Sequence, residues 1–124
     1  EQGVFTTPPY SGEIKGAWRF KDEAAARESS EVIWGMFRSY MRKDDFIGAD
    51  TARKFIQMGR TRSLRYALRP GGKKYEHDDE TGEKKEIKRT GEVHDQGKLD
   101  GAGVFAEVLK RCWEDGWYQD AFER

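Results

Sequence analysis

The chain has one cysteine, two histidines and three prolines in 124 residues, and no long apolar run. With Cys112 alone, an internal disulfide framework and a cysteine-based zinc site are both excluded. His77 and His94 cannot complete such a site by themselves. The lack of disulfides points by default to a reducing intracellular compartment, cytoplasmic or nuclear. No stretch approaches the roughly 18 apolar residues of a membrane span, and no signal-peptide pattern opens the chain. No serine sits in a nucleophile elbow. Gly71-Gly72-Lys73 lacks the spacing and the Ser/Thr of a Walker loop. There are no internal repeats and no linker between two domains. No cofactor, no metal and no membrane partner is expected.

What is there is aromatic and charged. Aromatic residues make 13% of the chain, too many for a disordered one, and charged residues make 37%. The length fits a single compact domain over residues 1–124. Hydrophobic spacing predicts a mainly α fold of three principal helices near 22–42, 45–69 and 99–115. In the first, Val32, Ile33, Met36, Phe37, Tyr40 and Met41 recur at three and four, behind Asp22 as N-cap. Gly35 within it implies a close helix contact. The second opens at Asp44-Asp45 and stops at Pro70-Gly71-Gly72, with Gly59 as a kink or a cap. The third carries Val104, Phe105, Val108, Leu109, Cys112 and Trp113, and Gly116 breaks it before a short terminal turn or helix. Prolines and glycines in residues 1–21 predict extended chain, with short strands at Val4–Thr7 and Ala17–Phe20. Residues 76–98 read as a solvated charged loop: either a hairpin turning near Thr81-Gly82 with a return strand at Lys85–Lys88, or a disordered segment.

The zero net charge conceals an asymmetry. Residues 51–75 hold eight basic side chains and no acidic one. Such a window attracts polyanions locally whatever the total charge. Arg62, Arg65 and Arg69 share one helical face, and Arg53 and Arg60 lie two turns apart on another line. Gly71-Gly72 lets backbone approach a phosphate, and Lys73 and Lys74 follow. Arginine's planar fork suits phosphate oxygens, and Tyr66 and Tyr75 are positioned to stack on unpaired bases. The bland alternative is a solvated face, or one paired with acids such as Glu76, Asp78, Asp79 and Glu80. Other features have structural readings. Ser29, Ser30 and Ser63 read as packing or surface residues, Cys112 as a buried small hydrophobe, and Trp18, Trp34, Trp113 and Trp117 as core. His77 with Asp78 and Asp79 is a possible cation loop, against the simpler reading of an acidic loop.

One resemblance covers nearly the whole chain. Asp44-Asp45-Phe46-Ile47-Gly48-Ala49-Asp50, Ala52-Arg53-Lys54-Phe55-Ile56-Gln57-Met58-Gly59, Arg60-Thr61-Arg62, Arg65-Tyr66-Ala67 and Gly71-Gly72-Lys73-Lys74-Tyr75 resemble an uncharacterised domain family associated with bacteria, tailed phages and fungi. Glu1-Gln2-Gly3-Val4, Pro9-Tyr10 and Trp18-Arg19-Phe20-Lys21 fit its opening. The resemblance implies a compact independent domain and a family start that precedes Glu1. It also implies a His-Lys pair before the double glycine, where this chain has Leu68-Arg69-Pro70. It carries no established activity, and its phage members favour work on nucleic acid only by association.

The leading expectation is a domain that binds DNA or RNA with low sequence specificity. Arg53, Arg60, Arg62, Arg65, Arg69, Lys73 and Lys74 would contact phosphates, and Tyr66 or Tyr75 would stack. The alternatives are an enzyme acting on a phosphorylated or nucleic-acid substrate and an interaction module docking an acidic protein partner. The enzyme would need a carboxylate or histidine (Asp44, Asp45, Asp50 or His77) in a cleft beside Arg62 and Arg65.

Overall fold

The computed structural model describes residues 5–69, 75–77, 80–86 and 91–124. Its elements in chain order are α1 (Tyr10–Lys15), α2 (Glu23–Arg42), α3 (Phe46–Leu68), β1 (Tyr75–His77), β2 (Lys84–Glu86), α4 (Gln96–Glu114) and α5 (Gly116–Glu123). The fold is mainly helical, and α2, α3 and α4 pack on one another to enclose the core.

Each long helix starts on an aspartate. Asp22 accepts from the Ala25 amide at 2.8 Å, Asp45 from Gly48 at 3.1 Å, and Asp95 from Lys98 at 3.0 Å. Asp115 does the same for α5, accepting from Tyr118 at 2.9 Å. A carboxylate there satisfies an otherwise orphaned amide and faces the positive end of the helix dipole. Because Asp95 is the cap, α4 begins three residues before the expected Leu99.

Apolar side chains from all three helices fill the interior: Ile33 and Phe37 from α2, Phe55 and Ile56 from α3, Phe105 and Val108 from α4. Removing such a side chain from water stabilises the fold by about 1.5–3 kcal/mol each. The α2 stripe is narrower than its spacing suggests, since Val32 is 48% exposed. Gly35 is exposed with no atom where a Cβ would reach, so no close helix contact exists there. Gly59 is neither kink nor cap. It lies under the Phe105 ring, where a Cβ would come within 2.6 Å of a ring carbon. This is the close approach of α3 to α4.

The predicted N-terminal strands do not form among the described residues (Val4 lies outside them). Residues 5–6 make a 3₁₀ turn, and the chain after Pro9 winds into α1, burying Ile14. Prolines are tolerated in a first helical turn because the missing amide would have no partner there. Residues 17–20 stay irregular because their backbone finds side-chain partners instead of a ladder. The Arg19 amide donates to Ser29 Oγ at 2.9 Å, and the Ser29 hydroxyl donates to the Ala17 carbonyl at 2.8 Å. Of the two readings of this segment the hairpin is present, with its return strand at Lys84–Glu86 and Ile87 and Lys88 outside the described residues. β1 and β2 are antiparallel with Tyr75 opposite Glu86, and Gly82 takes φ +71° in the turn. Beyond it the His94 amide donates to the Ala67 carbonyl at 2.7 Å, satisfying one of the terminal carbonyls of α3. Among the described residues, no helix is long and apolar enough to cross a membrane.

Candidate nucleic-acid interface

The second half of α3 carries Arg60, Arg62 and Arg65, and Arg69 is its C-cap. At 1.5 Å per residue, Arg62 to Arg69 spans about 10 Å of helix. Arg60 is exposed and the other three are half-buried, with Arg62 lying against Trp18 in the segment joining α1 to α2. That segment brings aromatic rings under them. Trp18 meets Phe5 edge-on at 5.7 Å and Phe55 at 5.6 Å, and lies 4.9 Å from Phe20, whose ring is 6.3 Å from Tyr66.

The cations lie on these rings. The Arg62 guanidinium is 5.4 Å from the Phe5 centroid and 5.5 Å from that of Trp18. Arg65 is 5.5 Å from the Tyr66 ring. Two lysines that no spacing within one helix singles out join them. Lys15 of α1 lies 5.3 Å from Phe5. Lys98 of α4 lies 4.8 Å from Phe20 and 5.4 Å from Tyr66, and donates to the Phe20 carbonyl at 2.7 Å. Each such contact contributes about 0.5–1 kcal/mol at an exposed site. They also hold long side chains against the rings.

Among the described residues, no carboxylate comes within ion-pair distance of Arg60, Arg62, Arg65 or Arg69. The Nε atoms of Arg65 and Arg69 and the indole Nε1 of Trp18 are buried without a hydrogen-bond partner there. Arg62 and Arg65 of α3, Lys15 of α1 and Lys98 of α4 thus gather around one aromatic cluster, with Arg69 on the same helical line and Arg60 on the opposite face of the helix. Lys73 and Lys74 lie outside the described residues, as do Gly71 and Gly72. Tyr75 is 46% exposed on β1, with Lys84 Nζ 4.8 Å from its ring centroid.

Arg53 does not belong to this group. Its helical line leads to Arg60, yet Arg53 is only 7% exposed. Its Nη2 pairs with Asp50 Oδ1 at 2.9 Å, its Nε donates to the Tyr118 hydroxyl at 2.9 Å, and its Nη1 donates to Gln57 at 2.5 Å. The guanidinium carbon stands 4.8 Å from the Trp113 ring centroid. The reason is tertiary: α4 ends and α5 turns back over the first half of α3, and Tyr118 comes down on Arg53. Lys54, the neighbouring cation, pairs with Asp50 Oδ2 at 3.2 Å. Burial pushes the Asp50 carboxyl up. Hydrogen bonds from Tyr118 and Arg53, with the Arg53 charge, outweigh this and hold it below its ordinary value. The Tyr118 hydroxyl is raised by burial and by its bond to Asp50.

The carboxylates that an enzyme would need lie elsewhere. Asp45 caps α3 and accepts from the Tyr10 hydroxyl at 2.7 Å. Burial, followed by a short hydrogen bond to Glu13, raises the Tyr40 hydroxyl. Asp50 is three turns of helix before Arg62, about 18 Å. Asp44 is exposed at the turn before α3, and His77 is exposed on β1. Among the described residues, no cluster of three His, Cys, Asp or Glu side chains could hold a metal ion, and Asp78 and Asp79 lie outside them. Cys112 is fully buried. Trp18 is core, Trp34 and Trp117 pack against the core, and Trp113 is 38% exposed as the lid over Arg53.

A family model described as "Domain of unknown function (DUF4385)" matches residues 1–124, the whole chain. No curated protein and no solved structure matches it.

Proposed function

We propose that this chain, which belongs to the DUF4385 family, binds nucleic acid as a polyanion, with low sequence specificity, in a cytoplasmic or nuclear setting. Arg60, Arg62, Arg65 and Arg69 make the phosphate contacts, joined by Lys15 and Lys98 from α1 and α4 and, from sequence, by Lys73 and Lys74. The observation that carries this reading is that no described carboxylate neutralises the four arginines, while the other arginine of α3 is tied to Asp50. A fold that pairs Arg53 but leaves Arg62, Arg65 and Arg69 unpaired on one face, and Arg60 unpaired on another, keeps a local positive field. Phosphate contacts of this kind fix position without reading base edges.

Electrophoretic shift with DNA and RNA at two salt concentrations tests it. Binding at roughly 10⁻⁴ to 10⁻⁶ M that weakens steeply with salt is expected. Replacing Arg62, Arg65 and Arg69 together by Gln abolishes it, with helix content by circular dichroism unchanged. Binding that ignores both salt and the triple replacement overturns the proposal.

A further inference from the structure

We propose that the polyanion taken by this surface is a double-stranded backbone and not an unpaired strand. The inference rests on the nucleic-acid reading above and gives it a substrate class.

The rings around the basic row decide it. Single-strand binders offer aromatic faces on which successive bases stack. Here each of those rings already has a cation of the chain itself beside it. Phe5 has Lys15 and Arg62, Trp18 has Arg62, Phe20 has Lys98, and Tyr66 has Arg65 and Lys98. Even Tyr75, out on the hairpin, carries Lys84. Trp18 is also 91% buried between Phe5 and Phe55, counting from its 9% exposure. A base stacking on these rings would compete with the charges that attract its own phosphate.

The same contacts make the cations a rigid array. Lys98 Nζ is held by the Phe20 carbonyl and by two rings. A fixed array suits a partner whose phosphates are also fixed. Duplex DNA is stiff over about 150 base pairs, and carries a charge every 1.7 Å or so along its axis. The row from Arg62 to Arg69, about 10 Å along α3, is between the two groove widths of roughly 6 and 12 Å, within arginine reach of both strands. An unpaired strand has fewer charges per unit length and must lose chain entropy to match the array.

Fluorescence anisotropy compares a duplex of roughly two helical turns with each of its strands alone. The duplex is expected to bind about tenfold more tightly at about 50 mM salt. If four phosphates are contacted, raising salt to about 200 mM weakens the duplex about 150-fold and a strand about 50-fold. Tyr66→Leu keeps the apolar contact with Phe20 but frees Arg65 and Lys98 from one ring, and is expected to weaken duplex and strand alike by about two- to fivefold, whereas a stacking residue would cost the strand alone roughly 5- to 150-fold. A strand that binds as tightly as the duplex, or that loses clearly more affinity than the duplex in Tyr66→Leu, overturns the duplex inference and leaves the polyanion reading standing. If neither nucleic acid binds at the lower salt, both fall together.

Discussion

Arg53 Nε donates to the Tyr118 hydroxyl at 2.9 Å, and that hydroxyl donates in turn to Asp50 at 2.5 Å. This chain of bonds fastens α5 to α3 and removes one arginine from the surface. Tyr118→Phe leaves the Arg53 Nε without its acceptor and takes one donor from Asp50. A loss of about 1–3 kcal/mol is expected by denaturant titration. Unchanged stability would mean that water replaces the hydroxyl without cost.

Arginines of α3 should divide by salt dependence. Arg62→Gln and Arg65→Gln each remove one phosphate contact, reducing the slope of log affinity against log salt by about 0.9 on a duplex. Arg53→Met leaves that slope unchanged and lowers the melting temperature, because it strands Asp50 in a half-buried site. An equal slope change in all three would return Arg53 to the interface.

Two helical glycines should respond oppositely to alanine. Gly35 is exposed with open space around it, so Gly35→Ala stabilises α2 by up to about 1 kcal/mol. Gly59→Ala drives a methyl into the fully buried Phe105 ring and costs about 1–3 kcal/mol. Thermal melts of the two variants check both, and a stabilised Gly59→Ala would show that α4 yields easily.

Acid should weaken the α3–α5 junction through Asp50. Its folded pKa is lowered, so its contribution is fully present above the ordinary carboxylate value of about 3.9 and is lost as pH falls through the folded value. Asp50→Asn therefore flattens the acid limb of the stability–pH curve while lowering stability at neutral pH. An unchanged acid limb in the variant would count against the assignment.

Cys112 is buried, and burial pushes its thiol up to about 12. A thiol reagent at about pH 8 is expected to label it only as fast as the protein unfolds. Rapid labelling of the native protein would show that α4 opens locally near its C-terminal end.

Much of this architecture is written in short-range signals. Asp22 and Asp45 cap helices within a residue of where their position suggests, since capping depends only on a side chain and amides three residues on. The hairpin follows from Thr81-Gly82, because glycine admits the positive φ that the turn takes. The N-terminal strands failed for the opposite reason. A strand needs a ladder partner, and the local alternation of Trp18 and Phe20 holds no information about Ser29, which takes the Arg19 amide instead.

The sequence by itself determined the charge window and the helical period that sets Arg62, Arg65 and Arg69 on one face, because both are properties of neighbours along a single element. Only the tertiary structure decided which cations stay outside. α5 folds over Arg53 and not over Arg60, although the two share a helical line, and Lys15 and Lys98 reach the aromatic cluster from elements far along the chain. Burial and cation–ring contact depend on where separate helices meet, and no spacing within one helix encodes that.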